Sequence, residues 1–287
     1  MELVEIANNS EVIRKEVGTE QLIDAVTTEL LKEEQADCPV VHSFGPNLYI
    51  RQVSAKVGTL AVGHYQKTTH LNVLLKGKVQ VLNSDGTTSI LEAPMTFISP
   101  PGRKCGVILE DMVWLNIYST SERDVPTLES MLLDTSPIWD EFLHNKDKLL
   151  LVDKTNEDRD DYNLVLKEFG YTEEQVLKEV HYPHDQIEFP FGSYKVIVST
   201  SKIEGKGLFA TSNIEAMETI APSRIAGKRT PAGRFTNHSK NPNAFFVKNE
   251  NGDVDLVAKR LITGQRGGLV GEEITVDYRQ ALSLRST

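Results

Sequence analysis

The chain has 287 residues, 39% of them hydrophobic and 25% charged, and a formal net charge of −10. That length can bury a sizeable core and fits two domains better than one. The acidic balance excludes a general nucleic-acid binder, which needs a basic face to displace phosphate counterions, and it favours a basic partner instead.

Cys38 and Cys105 are the only two cysteines, far apart and without a CxxC pair, so neither a disulfide framework nor a zinc knuckle is expected. The opening "MELVEIANNSEVIRKEV" has no basic segment followed by an apolar run. No stretch approaches the roughly 20 apolar residues that span a bilayer. The expectation is a protein that is neither secreted nor membrane-bound.

In chain order, "TEQLIDAVTTELLKEE" sets Leu22, Ile23, Val26 and Leu30 on one helical face, with Thr19 placed to cap. From about Asn47 to Thr120 the apolar period drops to two, and turns recur at Gly77, Asp85-Gly86 and Pro100-Pro101-Gly102. This predicts short antiparallel strands in a β-barrel or sandwich. From Val125 to about Lys178 the pattern is helical, with Gly170 ending one helix and Thr172 capping the next. The acidic run "NEDRDD" reads as a solvated face or as caps. In "HYPH", Pro183 breaks the helix that would align His181 with His184, which makes the segment a linker. A second β-type region begins at Tyr194. The predicted organisation is a helical segment over 1–42, a β-region over 43–121, a helical linker over 122–192 and a compact β-fold over 193–287. The class is mainly β with a helical linker.

Within the first β-region, "GHYQKTTHLNVLLKGKVQV" and "ISPPGRKCG" resemble the two motifs of the cupin family. The resemblance implies a cupin-like barrel and puts His64, Gln66, His70 and Cys105 at the family's four metal-ligand positions. Three of the four depart from the family's residue types. His64, His70 and Cys105 are the side chains that would hold zinc or iron, and the adopted expectation is that no metal is bound. Strand pairing along such a barrel makes a homo-oligomer the expected assembly.

In the last third, "IEGKGLFA", "GRFTNHSKNPNA" and "GEEITVDY" occur in that order. Together they resemble the SET-domain family of protein-lysine methyltransferases. The resemblance implies an S-adenosylmethionine site from Gly205, Lys206, Gly207, Leu208, Arg234, Phe235, Asn237 and His238, and makes Tyr278 the catalytic tyrosine. The chemistry is coherent. Glycines let backbone approach a ligand closely, and an asparagine amide offers both a donor and an acceptor to an amino-acid moiety. Deprotonating a lysine of reference pKa about 10.4 costs roughly 4.6 kcal/mol at pH 7, which an apolar channel must help supply. Phe235, Phe245 and Phe246 are the candidate channel walls.

Two departures stand beside the match. No tyrosine occurs between Phe209 and Tyr278, and only "RQALSLRST" follows Tyr278, without the cysteine-rich closing segment of many relatives. The overall layout also resembles proteins encoded by tailed bacteriophages. Two functions follow as expectations. The first is an S-adenosylmethionine-dependent lysine methyltransferase acting on a protein or peptide. The second is a non-catalytic structural or interaction protein, such as a virion component contacting other virion proteins. The implied location is the host cytoplasm or the virion.

Overall fold

The computed structural model describes residues 19–83, 85–149, 155–180 and 182–283. His181 and the first 18 residues lie outside them. Helix α1 spans Thr19–Leu30, with Thr19 as its first helical residue rather than its cap. Ile23, on the predicted apolar face, is 2% exposed.

The N-terminal β-region begins at β1 (Val40–Gly45) and β2 (Leu48–Ala55) and continues through β3 (Leu60–Val62) and β4 (Tyr65–Gln66). It is completed by β5 (His70–Leu82), β6 (Thr88–Glu92), β7 (Met95–Ser99) and β8 (Cys105–Ser119). The long β8 is the centre. It pairs antiparallel with β2 and β3 on one side and with β5 on the other. The sheet does not close into a barrel; its path runs β10-β1-β2-β8-β5-β6 and ends in open edges. It forms the sandwich of the expected pair. Alternation explains the packing, because inward positions such as Leu74, Val79, Ile108, Met112 and Trp114 form a buried cluster of their own. Gly77 sits at φ +91, where a Cβ would press on the Asp111 carbonyl at 2.5 Å, so the irregular register between β5 and β8 there requires glycine.

The linker supplies α2 (Val125–Leu132), the short β9 (Leu133–Asp134), α3 (Pro137–Leu149), α4 (Thr155–Phe169) and α5 (Glu173–Val180). Asp124 caps α2 by accepting from the Thr127 N–H. Between α4 and α5 the predicted break is present. Thr172 and Gln175 exchange side-chain-to-backbone hydrogen bonds of 2.8 and 3.2 Å, a reciprocal cap.

The boundary expected near Tyr194 is crossed. Strand β10 (Gly192–Tyr194) pairs with β1 and so belongs to the first sheet. The larger core cluster joins Phe44, Tyr49 and Tyr118 of the first sheet to Val196, Leu208 and Ile274 of the C-terminal region. The two regions therefore share buried apolar surface, and removing either would expose the other's face.

The C-terminal region contains β11 (Val196–Thr200), β12 (Lys206–Ala210), β13 (Thr219–Ile225), β14 (Lys228–Arg229), α6 (Pro231–Phe235) and β15 (Asn237–His238). After these come β16 (Ala244–Lys248), β17 (Val254–Ala258), β18 (Glu273–Val276) and α7 (Tyr278–Ser283). Two four-stranded sheets result, β11-β12-β18-β15 and β14-β13-β17-β16. No helix among the described residues is long and apolar enough to cross a membrane.

Candidate functional site

Strand β18 brings the three C-terminal motifs together. On one edge it pairs antiparallel with β12, Leu208 opposite Ile274, and on the other it runs parallel to β15, Asn237 opposite Thr275. Asn243 fastens the intervening segment, donating to the Glu273 carbonyl at 2.8 Å and accepting from the Thr275 N–H at 2.9 Å.

Of the predicted cofactor residues, Gly205, Lys206, Gly207 and Asn237 meet around Glu273, a carboxylate that the sequence left without a role, whereas Leu208, Arg234, Phe235 and His238 lie elsewhere. Asn237 Nδ2 lies 2.8 Å from Glu273 Oε1, 3.0 Å from Ser201 Oγ and 3.2 Å from the carbonyls of Glu204 and Lys206. Ser201 also donates to Glu273. Burial pushes the Glu273 carboxyl above its usual range, against the hydrogen bonds from Asn237 and Ser201. Gly205 makes the turn at φ +50, and a Cβ on Gly207 would fall on the Glu273 carboxylate. The close approach that Gly207 permits is thus used by the protein's own acid. Leu208 is 0% exposed and belongs to the core, while Lys206 is exposed and contributes its carbonyl.

Helix α4 covers the next stretch. His238, 3% exposed, accepts the Tyr278 N–H on Nδ1 at 3.2 Å, so its Nε2 donates to Asp161 at 3.0 Å. Asp158 accepts from Ser239 Oγ and the Lys240 N–H, and Arg279 forks onto Asp161 at 2.9 and 3.1 Å. Hydrogen bonds from Arg279 hold the Asp161 carboxyl below its usual range, against the effect of burial. Tyr162 meets Tyr278 edge-on, ring centres 6.0 Å apart. Asp158 and Asp161 come from the run read as a solvated face or caps, so that reading fails for these two. The available signal was their spacing with Tyr162 and Val165, which lies on one helical face.

Tyr278 donates to the Thr236 carbonyl at 3.1 Å, and burial pushes its phenol well above the usual range. Both residues line a cavity of about 340 Å³. Arg224, Arg229, Arg234 and Lys248 line it too, and among the described residues no acidic side chain does. Asp185 neutralises part of this charge from outside, 2.8 Å from Arg229 and 3.6 Å from Arg224. The Arg234 guanidinium rests over the Phe235 ring at 4.7 Å. Phe246 lines the cavity, whereas Phe235 packs against the core. Gly205, Lys206, Gly207, Asn237 and His238 do not line it. In this arrangement the Asn237 donors are engaged within the protein, the Glu273 carboxylate fills the approach that Gly207 leaves open, and cationic side chains line the space beside Tyr278.

The second cavity, about 480 Å³, lies between the N-terminal β-region, α1, Trp139 and the Gln265–Gly268 segment, and His64, Gln66, His70 and Cys105 all line it. Among the described residues, no group of three or more histidine, cysteine or acidic side chains could hold a metal ion. The His64 ring meets Trp139 edge-on, and burial pushes the Cys105 thiol up to about 11, which keeps it protonated at neutral pH.

No family model matches the chain, and no curated protein matches it. Solved structures similar to about a third of the chain include a cupin-2 domain protein from Shewanella frigidimarina, 14% identical, covering 33% of this chain and 91% of that one at a TM-score of 0.25. A cupin domain from Bordetella pertussis is 16% identical, covering 31% and 99% at 0.26. The cupin domain of Schizosaccharomyces pombe Cnp3 is 21% identical, covering 34% and 72% at 0.25.

Proposed function

We propose that this chain is a non-catalytic binding or structural protein, in which the SET-like segment serves as a folded module rather than a methyltransferase. One observation carries the reading: the amide that would hold the methionine end of the cofactor is spent inside the protein, between Glu273, Ser201 and the 204–206 turn. An amide nitrogen has two hydrogens and here faces four acceptors, so releasing it to a ligand would leave the half-buried Glu273 carboxyl with the Ser201 hydroxyl as its side-chain donor. The cationic cavity beside Tyr278 and the α4 helix pinned across His238 support the same conclusion. A virion component that assembles with other virion proteins, or with further copies of itself, is the form of this reading that the bacteriophage-like layout favours.

Methyl transfer to a lysine-containing protein is the second reading. It is favoured by the Tyr278 hydroxyl and the Thr236 carbonyl on the wall of one cavity. The two separate on cofactor binding. Isothermal titration with S-adenosylmethionine, up to millimolar concentration, should show no saturable heat and leave the melting temperature unchanged. A micromolar Kd that Asn237→Ala abolishes, together with labelled methyl transfer that Tyr278→Phe removes, would replace the structural reading with the enzymatic one.

A further inference from the structure

The cations beside Tyr278 are gathered by the registers of the C-terminal sheet. Lys248 stands opposite Val254, Val254 opposite Arg224, and Arg224 opposite Arg229, so three cations fall in one row across β16, β17, β13 and β14. All three line the cavity, Arg229 at 6% exposure and Lys248 exposed. Like charges directly opposite one another destabilise a sheet. Asp185 offsets part of this charge through its contacts with Arg229 and Arg224.

Arg234 of α6 adds a fourth cation to the same wall, and its Nε is buried without a hydrogen bond. Burial first, and the neighbouring Arg229 second, disfavour its charge against the attraction of Asp124, which does not line the cavity. Three guanidiniums thus share one space, and their planar forks match the oxygens of a tetrahedral anion. Another part of the wall is apolar, formed by Val165 and Leu166 of α4, Val176 of α5 and Phe246 of β16. A volume of about 340 Å³ suits a small organic molecule.

We propose that this cavity binds a small phosphate monoester with an apolar body, an inference that rests on the binding-protein reading and gives it a ligand. At neutral pH such an ester carries about two negative charges on one group. The phosphate answers the row of cations together with Arg234, and the organic part lies on the apolar wall. Inorganic phosphate would leave that wall unmet. A singly charged sulfate ester would leave more of the positive charge unanswered.

The test is isothermal titration of the whole chain at pH 8 with phenyl phosphate and 1-naphthyl phosphate at matched ionic strength. At least one ester should bind saturably. Phenyl sulfate, inorganic phosphate and phenylmalonate, whose two charges sit on separate carboxylates, should each bind at least 10-fold more weakly. Arg234→Gln should lower affinity for the ester by about 10- to 150-fold, the worth of a hydrogen bond to a charged group. Lys56→Gln, at an exposed lysine paired with Asp111 in the first β-region, should leave it unchanged. Should Arg234→Gln not fold, the exposed Lys248→Gln decides in its place, with an expected loss of about 2- to 5-fold. No saturable binding of either ester, equal binding of any comparison anion, an unchanged affinity in the folded variant, or tighter binding of a phosphotyrosine peptide than of phenyl phosphate would each overturn the proposal. Methyl transfer from S-adenosylmethionine would instead overturn the binding-protein reading, so the two failures are distinct.

Discussion

Asn237→Ala tests the idea that this side chain is a structural hub. Two amide hydrogens serve an array of four acceptors, the nearest being Glu273 Oε1 at 2.8 Å and Ser201 Oγ at 3.0 Å. A hydrogen bond to a charged group is worth about 1.5–3 kcal/mol and a neutral one about 0.5–1.5 kcal/mol, so the substitution should cost about 2–4 kcal/mol of unfolding free energy. The cost should also depend on pH. Burial already raises the Glu273 carboxyl in the folded state. A raised folded pKa gives stability that is complete below the unfolded value, about 4.3, and lost as pH climbs through the folded one. Removing a donor that lowers the folded pKa lifts it further, so the penalty should be larger at pH 7.5 than at pH 5. Urea unfolding of wild type and variant at both pH values measures this directly. A loss below about 1 kcal/mol, or the same loss at both pH values, would refute the assignment.

Three further outcomes are expected. Gly207→Ala should destabilise the chain, because its Cβ would fall on the Glu273 carboxylate, and Gly207→Ala with Glu273→Gln should not recover full stability; a melting temperature within error of wild type would contradict the packing. Asp161→Asn removes the acceptor shared by His238 and Arg279, and should cost about 1.5–3 kcal/mol while speeding hydrogen exchange across α4, with unchanged exchange there counting against the docked helix. Burial lowers the His64 imidazole to about 4, so the unfolded chain takes up a proton near pH 6.5 that the folded chain refuses until about pH 4. Stability should therefore fall as pH drops through that window, and His64→Gln should flatten the slope by about one proton, measured by urea unfolding from pH 7 to 4.

The sequence by itself determined the elements whose signal is local. Alternation predicted the strands about Gly77, the apolar face containing Ile23 predicted α1, and Thr172 was placed to cap α5. It also held the Gly205–Gly207 turn, Asn237 and Tyr278 in readable order, because each depends on short-range backbone demands. Tertiary structure alone decided the rest. That β10 would pair with β1 and join two regions into one core depends on contacts about 150 residues apart. That Asp158 and Asp161 would turn from water to Ser239 and His238 depends on where α4 packs. Residue type fixes what a side chain can donate or accept, but not what stands opposite. Glu273 against Asn237, and Asp161 against His238, follow from long-range packing that periodicity does not encode.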